Sequence, residues 1–286
     1  MFKMGVDTWL WAATFRKEHL FCIDEAEKLG AEAIDFSIND PFVFPVKEAA
    51  ARMKDSPMMA VTSTALPLQS NPISPERCER DRALDFMKKL VEVTAELGAK
   101  VSGGVNHSAS GYHSGHCKTQ QEIDWCAEYL TRLTDFARGY GVTIAMEPVK
   151  RFESHFMNTA QQALEMIDIV GAPNLRVHLD TFHMNIEEAN LPEAILACGD
   201  KLAHMHLVDS NRGTPGMGHI DWLGILRALK QINYTGAGCL ETFNPETIEE
   251  TCGMTYLTRR FAQTSAELVQ IGFKTLRDAA NAVYED

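Results

Sequence analysis

The sequence predicts one α/β domain, a closed (β/α)8 TIM barrel that spans residues 1–286 and ends in a long C-terminal helix. Eight apolar, strand-like runs alternate with helix-like patterns along the chain. The length of 286 residues suits one barrel, and 45% hydrophobic and 23% charged residues are ordinary for a globular protein. An unbroken series of strand–helix units favours a closed parallel barrel over an open sheet.

The predicted strands are short apolar runs bounded by turn residues or polar side chains. The third closes at Pro67, and the glycines of the fourth weaken it. Because the carboxyl ends of parallel strands meet at one rim of a barrel, polar residues that follow the strands are expected to lie together there. The predicted strands are Met4–Leu10, Ala33–Ile38, Met58–Leu66, Val101–Val105, Val142–Met146, Leu175–Leu179, Leu202–Leu207 and Ala237–Leu240.

The predicted helices follow from apolar positions at helical spacing and from capping signals at their ends. Ser74 before Pro75 indicates a helix start, and Thr119 with Glu122 has the capping-box pattern. Gly30 is a candidate C-terminal cap. The predicted helices cover about Lys17–Leu29, Val46–Lys54, Ser74–Leu97, Thr119–Tyr140, Asn158–Val170, Leu191–Cys198, Trp222–Ile232 and Thr255–Val283.

The charge balance limits the classes of partner. Lysine and arginine number 27 against 39 aspartate and glutamate residues, so the formal net charge is −12. Such a surface repels nucleic acid phosphates and acidic membranes, which disfavours both. The first residues lack a secretion-signal pattern, and no apolar run approaches the roughly 18 residues that span a bilayer. We expect a soluble, cytoplasmic protein whose seven scattered cysteines stay reduced.

Four polar residues follow or end consecutive predicted strands, the fifth to the eighth. They are Glu147, Asp180, His206 and Glu241. Each alone could be a polar strand end or a core histidine, but equivalent positions in successive units bring them to one rim. Three carboxylates held together repel one another unless a cation lies between them, so the group predicts a divalent metal site. Three oxygen ligands and one imidazole suit manganese, magnesium, cobalt or zinc.

Side chains on neighbouring loops are candidates for contacts with a small polar substrate. Glu153, His183 and Arg212 would overhang the same rim. An arginine and a histidine beside a metal can hold sugar oxygens and stabilise an enediolate as its charge develops. Trp9 and Phe243 are candidate apolar walls. The alternatives are a solvated ion pair for Glu153, a helix cap for His183 and simple packing for the aromatic residues.

Four segments resemble a known family. The sequence resembles the ketose 3-epimerases, which include the D-tagatose, D-psicose (allulose) and L-ribulose enzymes, within the xylose-isomerase-like barrels. The resemblance spans nearly the whole chain and is densest from Gly141 to Phe243. It rests on Glu147-Pro-Val-Lys-Arg-Phe-Glu153, Leu179-Asp-Thr-Phe-His-Met-Asn-Ile-Glu-Glu188, the Ser210-Asn-Arg212 turn and Glu241-Thr-Phe243.

The resemblance implies a metal-dependent enzyme that inverts C3 of a free ketose. The four rim residues would be the metal ligands, with Mn²⁺ or Co²⁺ the expected ion and Mg²⁺ an option. Glu147 and Glu241 would also face opposite sides of C3, where one removes a proton to give a cis-enediolate and the other returns one. The three loop residues would contact substrate oxygens. Related enzymes are dimers or tetramers, which makes a homodimer or homotetramer the expectation here.

Two segments depart from better-known members of that family. The stretch Asp7–Trp11 is not tyrosine-rich, and the loop Asn106–His116 does not match its counterpart. Both would contact the distal carbons of the sugar, so the sequence does not set the preferred ketose. The irregular spacing of His107, His113 and His116 predicts a solvated loop, not a second metal site.

Two acidic residues and one long segment complete the expectations. Glu187 and Glu188 are expected at a solvated entry to the next helix, while Asn244–Arg260 could be an interface or a surface loop. Beyond Arg212–Gly218, no glycine-rich loop that could bind phosphate follows the seventh or eighth strand, which favours an unphosphorylated sugar.

Other functions fit the same rim less well. An aldose–ketose isomerase or an epimerase of keto-glycosides would use the same barrel and metal. A phosphodiesterase that cuts abasic DNA would conflict with the acidic balance. An inert sugar-binding relative is disfavoured because both candidate bases, Glu147 and Glu241, are present.

Overall fold

The structure, a computed structural model, describes residues 1–243 and 261–284. Eight parallel strands close into a barrel in chain order, with β8 paired to β1. The predicted fold is therefore confirmed. The strands are β1 Lys3–Asp7, β2 Ala33–Ser37, β3 Met59–Ala65, β4 Val101–Val105, β5 Thr143–Met146, β6 Leu175–Asp180, β7 Leu202–His206 and β8 Ala237–Leu240.

Helices follow the strands and form the outer layer. Thr119 and Glu122 form the predicted capping box, in which Oε2 of Glu122 accepts from the Thr119 amide at 2.7 Å. None of the helices described combines the length and apolarity needed to cross a bilayer. The helices are α1 Phe21–Lys28, α2 Val46–Met53, α3 Arg77–Glu96, α4 Gln120–Gly139, α5 Ala160–Val170, α6 Thr181–Glu187, α7 Leu191–Cys198, α8 Trp222–Gln231 and α9 Ser265–Tyr284.

Several predicted boundaries differ from the structure. The helix expected from Ser74 begins at Arg77, because the Ser74 hydroxyl accepts from the amide of Glu76 at 3.0 Å and closes a turn before the helix. The helix predicted from Lys17 is a short 3-10 turn followed by α1. The predicted segment Asn244–Arg260, and with it the predicted helix start at Thr255, lies outside the described residues.

The first strand ends earlier than predicted. The carboxylate of Asp7 accepts a hydrogen bond from the amide of Trp9 at 2.6 Å and begins a 3-10 turn at Thr8–Leu10. This turn replaces the last predicted residues of the strand. As a result, the indole of Trp9 lies over the carboxyl-end rim of the barrel and not in the sheet.

The apolar core has two parts because alternate side chains of each strand point in opposite directions. In β2, Ile34 and Phe36 join the large core between strands and helices, whereas Ala33 packs inside the barrel. A small apolar cluster of Ala33, Val61, Ala237 and Cys239 lies in the barrel interior. The interior also holds Asp35, which is fully buried among polar side chains.

Candidate active site

The four predicted rim residues lie at the carboxyl ends of consecutive strands. Glu147 directly follows β5, Asp180 and His206 end β6 and β7, and Glu241 directly follows β8. Asp180 on β6 is paired with His206 on β7 in the parallel register of these two strands. All four side chains are buried. The barrel therefore brings together the residues that the sequence placed at one rim.

The imidazole of His206 is the centre of this group. Its Nδ1 lies 3.2 Å from Oε2 of Glu241, 3.9 Å from Oε1 of Glu147 and 4.0 Å from Oδ2 of Asp180. The opposite nitrogen, Nε2, lies 3.0 Å from Oδ2 of Asp35. One edge of the ring thus faces three carboxylates and the other is held by a fourth.

The donor set fits a divalent cation. Nδ1 of His206 is buried, and among the described residues its approach to Oε2 of Glu241 at 3.2 Å lacks the geometry of a hydrogen bond. Burial and the neighbouring carboxylates raise the pKa of Glu147 well above its ordinary value, and burial raises the pKa of Asp180 to about 6. A cation between these groups would stabilise their ionised forms and so offset the effect of burial and of the neighbouring carboxylates. Glu147, Asp180 and His206 offer ligand atoms within 4.8 Å of one another, so they could hold a metal ion.

Arg212 is the cation nearest to this group. Its two terminal nitrogens lie 2.5 Å from Oδ2 of Asp180 and 2.8 Å from Oε2 of Glu241. Burial opposes its charge, but the two carboxylates raise the pKa of Arg212 above its ordinary value. Arg212 has a φ of 65°, a left-handed backbone conformation that is uncommon for residues other than glycine. Its guanidinium also lies over the rings of Phe182 and Phe243.

His183 and Glu153 lie on the adjoining wall, as the sequence predicted. Nε2 of His183 is 4.0 Å from both Glu147 and Asp180, while Nδ1 accepts from the amide of Lys150 at 3.2 Å. Nε2 is thus the nitrogen that can donate into the site. The Glu153 carboxylate forms an ion pair with the ammonium group of Lys150. Burial and the nearby Arg212 lower the pKa of His183, which keeps the ring neutral.

His183 is carried by a short helix, α6, that the sequence did not predict. The side chain of Asp180 accepts from the amide of Phe182 at 2.6 Å and from that of His183 at 3.3 Å, and so caps this helix. Asp180 therefore has two functions, since it ends a strand beside His206 and begins the helix that presents His183. A helix of seven residues is too short to give a clear periodic pattern.

A cavity of about 360 Å³ opens above these groups. Trp9 forms part of its wall, whereas Phe243 is fully buried behind Trp9 with a ring-centroid distance of 5.2 Å. The predicted apolar wall is thus one indole at the cavity surface, itself largely buried, supported by a fully buried ring. The cavity is lined by Trp9, Ser37, Asn39, Ser63, Thr64, Leu66, Gly104, Ser110, Glu147, Lys150, Glu153, His183, His206, Arg212 and Glu241, among others.

The expectation of a solvated histidine loop is wrong for one of its three members. His107 is fully buried, and its Nε2 lies 2.9 Å from the backbone oxygen of Glu147. The loop folds inward at this point because the imidazole binds the chain that carries a rim glutamate. His113 and His116 are exposed, as predicted.

The acidic pair Glu187 and Glu188 at the end of α6 also differs from its predicted role as a solvated helix entry. The Glu187 carboxylate is 6% exposed and accepts from the amide of Arg151 at 2.7 Å and from its guanidinium at 2.9 Å. The Glu188 side chain accepts from the amide of Ala160 at 2.7 Å. Glu187 therefore ties the end of α6 to the segment between β5 and α5, and Glu188 ties the following residue to the first residue of α5.

Sequence reasoning missed a buried polar group beneath the rim. Asp7, Asp35, His178 and His204 lie on β1, β2, β6 and β7 and are fully buried. Their signal was a charged or polar residue inside an apolar strand, which period-two alternation directs into the barrel. His178 receives a hydrogen bond at Nδ1 from the amide of Gly104 at 3.0 Å.

Comparisons with known proteins agree with this fold. The family described as xylose isomerase-like TIM barrel matches residues 23–260. The L-ribulose 3-epimerase of Mesorhizobium japonicum is 30% identical over 251 residues, which cover 87% of this chain and 84% of that protein. The D-psicose 3-epimerase of Agrobacterium fabrum is 31% identical over 242 residues, with coverage of 82% and 81%.

A solved structure extends the agreement to three dimensions. The D-allulose 3-epimerase of Methylomonas sp. in complex with D-allulose has a TM-score of 0.92 at 27% identity, and the match covers 97% of each chain. The chain therefore belongs to the xylose isomerase-like TIM barrels. Within that class, it is a member of the ketose 3-epimerase family.

Proposed function

We propose that this protein is a divalent-metal-dependent epimerase that inverts C3 of a free ketose. The observation that carries the proposal is the position of Glu147 and Glu241. These glutamates come from β5 and β8, two strands that are not neighbours, and both line the same cavity with His206 between them. Inversion at carbon needs one group to take a proton from one face and another to supply a proton to the opposite face.

The metal site of this proposal consists of Glu147, Asp180, His206 and Glu241. Mn²⁺ or Co²⁺ is the proposed ion, and Mg²⁺ is compatible with the oxygen ligands. The bound ion would polarise the ketose carbonyl and thereby make the adjacent C–H bond acidic enough for a carboxylate base.

The remaining steps use groups of the chain itself. The carboxylate of one rim glutamate removes the C3 proton, an enediolate forms, and the carboxyl group of the other glutamate returns a proton to the opposite face. The free Nε2–H of His183 and the guanidinium of Arg212 point towards the same space and would stabilise developing oxygen charge. Glu153, paired with Lys150, would accept hydrogen bonds from sugar hydroxyl groups.

An unphosphorylated substrate is supported by the pairing of the cations in the cavity wall. Lys150 and Arg212 are the lysine and arginine among the described lining residues, and both already pair with carboxylates. A phosphate group would have to compete with those carboxylates. A neutral sugar needs only the hydrogen-bonding groups present. A cytoplasmic location and a homodimer or homotetramer belong to the same proposal.

The test is incubation of the purified protein with Mn²⁺ and D-fructose, D-tagatose or L-ribulose in deuterated water. We expect the C3 epimer to form with deuterium at C3. Glu147→Gln and Glu241→Gln should each lower kcat for inversion by about 10²–10⁴-fold. Glu128→Gln, an exposed change of the same type on α4, is the matched control and should retain activity. Formation of an aldose alone, or inversion at another carbon, would contradict the proposal.

A further inference from the structure

We propose that Asp35 is a positioning residue for the metal site, because its carboxylate fixes which nitrogen of His206 faces the ion. The inference rests on the metal centre of the proposed function and deepens it. Asp35 lies within β2, on the barrel wall opposite β6 and β7, and is fully buried. It reaches His206 across the interior of the barrel, 171 residues away in the chain.

The hydrogen bonds of Asp35 determine where protons lie on two imidazoles. Oδ2 of Asp35 is 3.0 Å from Nε2 of His206 and 2.7 Å from Nε2 of His204. An ionised carboxylate only accepts hydrogen bonds, so each of these Nε2 atoms carries a proton. Nδ1 of His206 is then the ring nitrogen that can present a lone pair to an ion. This is the atom that faces Glu147, Asp180 and Glu241.

Packing holds the ring in that orientation. The ring of His178 lies 4.2 Å from that of His206 at an interplanar angle of 87°, and 4.5 Å from that of His204. His178 is itself held by the amide of Gly104, and a Cβ atom at Gly103 would come within 2.9 Å of its Nδ1. A reversal of the His206 ring would break its bond to Asp35.

Asp7 offers a matched comparison at the same depth. It is also fully buried, and its Oδ2 lies 3.9 Å from Nε2 of His206. However, its two oxygens accept from the amide of Trp9 and the hydroxyl of Ser37, both at 2.6 Å. Asp7 thus places a second carboxylate near His206 without binding the imidazole. Loss of a buried carboxyl group near His206 and loss of the hydrogen bond to its imidazole can therefore be separated with these two residues.

The experiment compares Asp35→Asn with Asp7→Asn by the affinity of the metal-free proteins for Mn²⁺, with free Mn²⁺ measured by electron paramagnetic resonance. An asparagine at position 35 can donate its amide to Nε2 of His206, which would put the ring proton on Nδ1. We expect Asp35→Asn to bind Mn²⁺ about 10–100-fold more weakly, the usual effect of losing a group that orients a metal ligand. Asp7→Asn should stay within about 3-fold of wild type, because it breaks no bond to His206.

A second variant and a second signal keep the result interpretable. If Asp35→Asn does not fold, as judged by thermal unfolding, Asp35→Ser should show the same weakening, because a neutral hydroxyl group can donate or accept and so no longer fixes the proton on Nε2 of His206. At saturating Co²⁺, the visible absorption bands should shift in the Asp35 variant and not in Asp7→Asn.

Equal weakening in both aspartate variants would overturn the proposal, since it would indicate a general effect of losing a buried carboxyl group near His206. Wild-type affinity in the Asp35 variant would overturn it too, as would failure of the wild-type protein to bind Mn²⁺. The proposed function fails separately, when a protein that binds Mn²⁺ does not epimerise any ketose. A difference between Asp35→Asn and Asp7→Asn would support the positioning role in that case as well.

Discussion

The two halves of the barrel rim differ in chemistry. Strands β5–β8 supply the charged group around His206, whereas β2–β4 supply Ser37, Ser63, Thr64 and Gly104 to the same cavity. The charged half can bind an ion and move protons. The other half offers hydroxyl groups and a glycine, which shape the cavity and can bind neutral hydroxyl groups. Under the proposed function, ionic chemistry and substrate fit would be assigned to opposite sides of one barrel.

Asp35 is the exception that connects the two halves. It belongs to β2, yet its carboxylate bonds to imidazoles of β7 and does not line the cavity among the described residues. The carboxylate that β2 contributes therefore lies inside the barrel, below the cavity, and the side chains that β2–β4 present to the cavity are neutral. Predictions can test this division by changing one residue at a time on each side.

The largest expected effect is on the charged half, from Asp180→Asn. Asparagine keeps the N-cap of α6 but removes the charge that an ion needs. We expect Mn²⁺ affinity to fall by more than about 100-fold, beyond the 10–100-fold typical of a residue that only orients a ligand. Equilibrium titration of the metal-free protein measures this.

Asp221→Asn is the matched control for that change. Asp221 caps α8, where its side chain accepts from the amide of Gly224 at 3.0 Å, and it is not part of the site. Its variant should bind Mn²⁺ as wild type does. Equal losses in the two variants would mean that capping, not ligation, explains the importance of Asp180.

The next effect concerns the shape of the neutral half. Gly104 has a φ of 101°, and a Cβ there would lie 2.0 Å from the backbone oxygen of Thr64 on β3. Gly104→Ala should lower the free energy of unfolding by about 2–4 kcal/mol, from the strain of the positive φ and the overlap together. Denaturant unfolding measures the change.

Gly98→Ala separates the strain of a positive φ from the steric overlap of an added Cβ. Gly98 has a φ of 78°, but nothing lies within 4 Å of its Cβ position. Its substitution should cost about 1–2 kcal/mol from conformation alone. If the two variants lose equal stability, the close approach of β4 to β3 at Gly104 is not a constraint on this half of the rim.

The sequence predicted the site residues of the charged half of the rim far better than those of the neutral half. Glu147, Asp180, His206 and Glu241 follow or end their strands, so a prediction of eight strands was enough to bring them together. Ser37 and Thr64 carry no distinctive signal, because small hydroxyl residues are common at strand ends. Trp9 was found only as an aromatic candidate, and its location depends on the turn that Asp7 caps.

Long-range partners account for the remaining errors. His107 looked like part of a solvated loop because its acceptor is the backbone of Glu147, 40 residues away. Glu187 looked solvated because Arg151 lies 36 residues earlier. Asp35 had no visible partner at all, since His204 is 169 residues distant. Local sequence patterns predicted the strands and helices well. Side-chain contacts across the barrel depend on how the strands close into a ring, and residue spacing along the chain does not predict them.

The smallest expected effect sharpens the role of the neutral hydroxyl groups. The hydroxyl of Ser63 lines the cavity and lies 3.2 Å from that of Ser37. Ser63→Ala should raise KM for the ketose by about 2–10-fold with kcat unchanged, because a neutral hydrogen bond contributes about 0.5–1.5 kcal/mol. Ser108→Ala is the control, since it breaks a similar pair, 2.9 Å from Ser154, in the protein interior. A fall in kcat for Ser63→Ala alone would show that this half of the rim also takes part in proton transfer, and the division between the two halves would then be wrong.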